Sequence, residues 1–370
     1  MPRCNRHRVT TAALLTLCLA LTACGGAEPA DLAAEADASA PAAGVEPPAA
    51  PTDDGEPSTV RMQLSWIPDC QFAGYLAADE QGFYEEQGLD VELLPGGPNV
   101  NAIQQVVTGA ADFTVGKVAS LFAARDQGLP IVAVAQFDKE SSFPLVAYAD
   151  EGISEPADLK GKKVGIWYDG DEYEVLALLA QAGLDPESDV ELFEQGFTMD
   201  PFLNREYDVA MVTSFNELNV LHLEGVGADE LTVINPSDYG ISIPHGALMA
   251  NEQWLADNAD AAAGFVAATL EGWRYAFDNP DDTATTCAES SLAAGGEAAT
   301  SKLEELQSRM IATMEELQLP EGTSESDQGR IDPELYQSVA DIVHEFGLIN
   351  EPADVDSSYD PTVLESATGS

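Results

Sequence analysis

Trp66, Asp69, Gln71 and Phe72 lie within seven residues, directly past an alternating segment at 60–64 that reads as a β-strand. An indole gives a flat ligand a large stacking face at modest entropic cost. A carboxylate and an amide oxygen beside it accept from the amino groups of a ring. The chemistry of such a loop is recognition by stacking and hydrogen bonding. Phe72 and the nearby Tyr75 suit ligand contact or packing of the next helix, and a buried structural role for Trp66 is the plainer alternative. Motifs for covalent chemistry are missing from the sequence. Gly96-Gly97 lacks the Gly-Lys-Ser/Thr of a phosphate loop, and no Gly-x-Ser-x-Gly elbow is present. There is no Cys-x-x-Cys, and His222, His245 and His344 stand far apart, so a zinc site has little support. Cys70 as a thiol nucleophile has no particular histidine placed beside it by the sequence.

The elements that must position this loop alternate between strand and helix. Residues 60–64 are followed by a helical stretch at 76–87 that Gly88 ends, a strand at 91–94 stopped by Pro95-Gly96-Gly97-Pro98, a helix at 99–108, and a strand at 112–115. The alternation resumes with strands at 164–167 and 208–212. Asp171 reads as an N-cap with Glu174 at capping-box spacing, and Asp200-Pro201 opens another helix. Val266, Leu270, Trp273 and Phe277 recur at helical spacing and read as a core face. This order predicts an α/β fold with mostly parallel sheet. Ligands in such sheets sit beyond the carboxyl ends of the strands. The loops after Leu64, Val115, Trp167 and Val212 are therefore the candidate cleft.

The stretch Ser65-Trp66-Ile67-Pro68-Asp69-Cys70-Gln71-Phe72-Ala73-Gly74-Tyr75 resembles the opening of the nitrate, taurine and thiamine-precursor group of periplasmic binding proteins. So do Gly82-Phe83-Tyr84-Glu85-Glu86-Gln87-Gly88, Gly109-Ala110-Ala111-Asp112-Phe113, Asp158-Leu159-Lys160-Gly161-Lys162-Lys163, Gln195-Gly196-Phe197-Thr198-Met199-Asp200-Pro201-Phe202 and Gly272-Trp273-Arg274-Tyr275-Ala276. Together they span residues 60 to about 350 in family order, and the nearest subgroup binds thiamine pyrimidine precursors or riboflavin.

The resemblance implies a type II periplasmic-binding fold, two Rossmann-like lobes hinged about one cleft. Lobe I takes 59–148 and 240–352, and lobe II takes 149–239. It also implies Trp167, Tyr168, Glu172 and Tyr173 as the matching loop of lobe II, where Asp169 and Asp171 are acidic departures from the subgroup. Asn216 and Glu217 match its Asn-Glu pair, and Tyr239 lies near the return crossing. The family commonly has Asn where Asp69 stands and a small residue where Cys70 stands. The implied role is capture of a small heterocycle for an ABC permease by a monomer that performs no reaction and carries no cofactor. Lys117 is the one cation near a predicted cleft loop, whereas nitrate or sulfonate binders need several donors converging on the anion. Alternatives are a taurine, sulfonate or nitrate binder, a secreted enzyme on the same scaffold, and a sensor that partners a membrane receptor.

The chain's start adds an address. Arg3, Arg6 and Arg8 precede an apolar run at 10–23 that is too short to span a bilayer and reads as a secretory signal. Leu21-Thr22-Ala23-Cys24 resembles a bacterial lipobox, which implies lipidation of Cys24 and an extracytoplasmic protein anchored to the cell membrane. Residues 25–58 carry eight acids, no base and no periodic apolar face, the pattern of a disordered linker; residues 353–370 read as a flexible tail. The formal net charge is −50, with 65 Asp and Glu against 15 Lys and Arg. That excess repels nucleic acid, and suits either a salty exterior or cationic ligands. Beyond the leader and Cys24 only Cys70 and Cys287 remain, free to pair or to stay apart.

Overall fold

The computed structural model describes residues 57–168, 170–295 and 302–369. The leader, Cys24, the linker through residue 56 and Asp169 lie outside the described residues. Ten strands follow one another: β1 (Ser58–Gln63), β2 (Leu89–Leu94), β3 (Phe113–Gly116), β4 (Ile131–Gln136), β5 (Leu145–Tyr148), β6 (Lys163–Ile166), β7 (Glu191–Glu194), β8 (Val209–Met211), β9 (Leu231–Ile234) and β10 (Ala247–Asn251). They form two sheets of five, ordered β2-β1-β3-β10-β4 and β7-β6-β8-β5-β9. In each, the first three strands are parallel, and β10 or β5 runs antiparallel to both of its neighbours. The two lobes thus repeat one α/β topology, as the alternation of strands and helices predicts.

The chain crosses between the sheets twice, over 137–144 and 235–246. The second lobe begins earlier than residue 149, because Leu145 pairs with Met211 and with Ile234 inside the second sheet. A strand inserted between two distant partners leaves no local mark of which sheet it joins. The crossings brace each other: Phe137 N donates to Gly246 O at 3.0 Å, and Ser141 N to Ser242 Oγ at 3.0 Å.

The flexible tail expected at 353–370 is instead part of the first lobe. β4 is buried along its whole length yet ends the sheet, so its outer ladder must be covered. Ala133 N donates to Ser358 O at 3.0 Å, Asp360 N to Ala133 O at 2.8 Å, and Gln136 N to Gly329 O at 2.9 Å. Val355 and Val363 are buried, the latter on the closing helix Thr362–Thr368. The acid-rich composition that reads as disorder hides a segment whose backbone finishes a sheet. The single helix expected at 76–87 is likewise two, Ala73–Glu80 and Phe83–Glu86, separated at Gly82 with φ 78°.

The first core forms around the helix Ala259–Asp278, whose Val266, Leu270 and Trp273 are buried as the spacing predicts. Phe265 stacks between Tyr84 and Phe113, with ring centroids 5.2 and 4.5 Å away. This helix crosses Ala73–Glu80 where both carry glycine. A Cβ on Gly74 would stand 2.2 Å from Trp273 Cγ, and one on Gly272 would stand 2.0 Å from Gly74 O. Cys70 and Cys287 form a disulfide that joins the loop after β1 to the helix Pro280–Ala293.

Candidate functional site

β1 delivers the first wall. The buried amide of Gln63 donates to Leu64 O, Leu94 O and Pro95 O at 3.0–3.1 Å, fixing the point where the strand becomes loop. Asp69 then caps the short turn Cys70–Phe72, accepting from Gln71 N at 3.0 Å and from Gln71 Nε2 at 3.3 Å. The disulfide pins the same turn, and Cys70 N donates to Gln307 Oε1 at 2.8 Å. Phe72 is buried beneath it, and half-buried Trp66 meets Phe197 of the second lobe with ring centroids 5.4 Å apart.

The second wall follows β8. Buried Glu217 accepts from Thr213 N at 3.0 Å, from the Thr213 hydroxyl, and from Asn216 Nδ2 at 2.9 Å, so the Asn-Glu pair is locked at the start of the helix Glu217–Leu223. Phe215 is buried beside it. The helix Leu303–Gln318 of the first lobe leans across, with Asn219 Nδ2 at 3.5 Å from Thr313 Oγ1.

Charge joins the lobes at the crossings. Lys117, past β3, pairs with Asp171 at the start of the helix Glu172–Gln181, and His245 Nε2 lies 3.8 Å from the same carboxylate. Burial alone would raise Asp171, but Lys117 and His245 together hold it below the usual carboxylate range. Burial depresses His245, against the pull of Asp171. The expected capping box is therefore not formed: the Asp171 side chain makes no cap hydrogen bond and reaches Lys117 instead. Glu174 is buried and accepts from Ser141 Oγ and Ile243 N, both at 2.6 Å, one from each crossing. Cross-lobe partners in a buried seam outcompete a local cap.

Four carboxyls at this seam are pushed upward, each mainly by burial. Asp69 and Asp138 rise to about 7, Glu174 to about 8, and Glu217 rises as well. Glu217 on one lobe adds to the rise of Asp69 on the other. A carboxyl whose pKa is raised on folding holds its proton more tightly in the native state. Its contribution to stability falls as pH climbs from the ordinary carboxylate value toward the folded one, by at most about 1.4 kcal/mol per pH unit for each proton. Melting temperature should therefore drop between pH 5 and pH 8. Glu174→Gln, which keeps an acceptor for Ile243 N and presents an amide N–H that the Ser141 hydroxyl oxygen can accept, should flatten that slope in a pH-resolved thermal melt.

The residues singled out in the sequence divide by place. Gln71 and Phe72 line the cavity between the lobes, together with Ser65, Phe215, Asp138 and His245. Trp66 stands against Phe197 at the lobe contact, and the charge of Glu217 adds to the rise of Asp69 across it. Trp167 donates to Gly196 O at 3.3 Å and meets Phe143 edge-on. Tyr168 is exposed, and Glu172 accepts from Gly170 N at 2.8 Å within its own turn. Tyr173 packs against a first-lobe core cluster. Tyr239 packs on the second-lobe core, where its carbonyl accepts from Gln181 Nε2 at 3.1 Å. Neither tyrosine lines the cavity. Sequence reasoning passed over Phe197, Phe215, Asp138 and His245. Phe197 and Phe215 follow strands and were open to the strand-end rule, whereas Asp138 and His245 sit on crossings that no local signal marks.

A family profile described as NMT1/THI5 like matches residues 69–283. A formylaminopyrimidine-binding protein of Halalkalibacterium halodurans is 30% identical over 238 residues, 62% of this chain and 70% of its own. The riboflavin-binding protein RibY of Chloroflexus aurantiacus is 28% identical over 364 residues, 95% of this chain and 96% of its own. The fold is similar to the periplasmic aliphatic sulphonate binding protein SsuA of Escherichia coli, with a TM-score of 0.65 and 16% identity over 82% of this chain and 92% of that one. Some relatives are named as enzymes: a 4-amino-5-hydroxymethyl-2-methylpyrimidine phosphate synthase of Legionella pneumophila is 28% identical over 35% of this chain and 42% of its own.

Proposed function

The chain belongs to the NMT1/THI5-like family, and from that premise we propose that it is an extracytoplasmic solute-binding protein that captures a small heterocycle between its lobes and hands it to an ABC permease. The observation that carries this reading is the pairing of walls. Trp66, Asp69 and Phe72 come from one lobe and Phe215, Asn216 and Glu217 from the other; of these Phe72 and Phe215 line the cavity, so a ring held there gains contacts from both only when the lobes meet. Such differential contact shifts the hinge equilibrium toward the closed form. Capture needs no bond-making group, and the reading assigns this chain no reaction.

The ligand class is a thiamine pyrimidine precursor or a riboflavin-like ring, in keeping with the names of the relatives. Binding of taurine, alkanesulfonate or nitrate fits less well. Lys117 is engaged with Asp171, and among the described residues no lysine or arginine lines the cavity. The protein acts as a monomer, held at the membrane through a lipid on Cys24. A thermal-shift panel of aminopyrimidines, flavins, taurine and nitrate tests the assignment. A rise in melting temperature with a heterocycle is expected, and a rise with the anions alone would refute it.

A further inference from the structure

The floor of the cleft holds polar atoms that play no part in the two walls. Tyr75 Oη, Asp138 Oδ1, Trp273 Nε1 and Gln318 Nε2 are all buried and lack a hydrogen bond of normal geometry, although the Gln318 amide stands near enough to Asp138 to pull its pKa down against burial. Native proteins leave few buried polar groups unsatisfied, and each such group costs stability. Here four come from three helices and a crossing to line a single cavity, which also touches Gln71 and Phe72 of the cleft. Gln318 Oε1 already accepts from Gln328 Nε2 at 2.9 Å, whereas its amino group has no bond of normal geometry. The rest of the lining is mostly apolar, with Val115, Phe137, Phe215 and Met314, and Ser65 and His245 add two polar side chains. The cavity is narrow, with room for one small functional group and not for a whole ring.

The inventory is an indole N–H, an amide N–H, a carboxyl oxygen, and a phenol that serves as donor or acceptor. Its complement is a neutral group that presents an acceptor beside a donor. A sulfonate has no donor to offer Asp138 Oδ1. Resting on the reading that the cleft binds a heterocycle, we propose that this niche receives the amide-type edge of that heterocycle, a carbonyl adjacent to an N–H. The carbonyl accepts from Trp273 and Gln318, the N–H donates to Asp138, and Tyr75 completes the set.

The test is calorimetric titration of the mature protein and of Tyr75→Phe and Gln318→Met. One probe is riboflavin, whose ring carries carbonyls beside an N–H, and the other is 4-amino-5-hydroxymethyl-2-methylpyrimidine, which has no carbonyl. Each variant should bind riboflavin about tenfold or more weakly, the scale of one lost hydrogen bond to a buried partner, and bind the pyrimidine within about threefold of wild type. Without ligand, Tyr75→Phe should melt at or above wild type, because an unpartnered oxygen has been removed, whereas Gln318→Met also strands Gln328 Nε2. Should Gln318→Met melt lower, Tyr75→Phe, which deletes one oxygen, decides the matter. Riboflavin binding equal in wild type and variants, or wild-type binding of the pyrimidine alone, overturns the niche and leaves heterocycle capture standing. Wild-type binding of neither probe, with taurine or nitrate bound instead, overturns the capture reading itself.

Discussion

Gly272→Ala should destabilise the first lobe by about 3 kcal/mol or more, the upper part of the range for overpacking a core. The new methyl would stand 2.0 Å from Gly74 O and 2.8 Å from Ala78 Cβ. Neither helix can yield cheaply, because Trp273 fills the space on the other side of Gly74. Melting temperature should fall by at least about 5 °C. Gly74→Ala should behave alike, since its Cβ meets the rigid indole and not the free end of a flexible chain. Gly196→Ala is the control. Nothing lies within 4 Å of its Cβ and its φ is not positive, so a melt indistinguishable from wild type is expected.

Replacing both cysteines, as Cys70→Ala with Cys287→Ala, should cost about 2–5 kcal/mol. The bridge closes a loop of sequence separation 217, so chain entropy in the unfolded state favours the upper end of that range. A local effect adds to the global one. The bridge anchors the turn that carries Asp69, Gln71 and Phe72, and without it that wall is held by the Gln307 contact and its own cap. Heterocycle affinity should fall along with melting temperature. Dithiothreitol should lower the melting temperature of wild type and leave the double variant unmoved. An equal response of both would mean that the bridge carries no stability.

Much of this architecture is legible in the sequence because it is local. Strand-helix alternation gives β1, β2, β3, β6 and β8 at nearly their observed bounds, and the loop after Leu64 carries Trp66, Asp69, Gln71 and Phe72 in eight residues. What escapes is non-local. β5 reads as any short apolar strand, and only its pairing with β8 and β9 places it in the second lobe. The acidic stretch after 352 looks unfolded until β4 is seen to lack a neighbour. Asp171 and Glu174 have the spacing of a cap, yet both carboxylates turn to partners far away in sequence, Lys117 and the two crossings. The bond between Cys70 and Cys287 is likewise a fact of packing.

Capture between two lobes makes one demand that a one-sided pocket does not: either wall, once lost, must weaken binding. Calorimetric titration of whichever heterocycle stabilises the wild type, repeated on Trp66→Ala and on Asn216→Ala, measures this directly. Loss of the stacking indole should weaken binding about 10- to 100-fold, and loss of the opposite amide about tenfold. Full affinity in either single variant would contradict closure around the ligand.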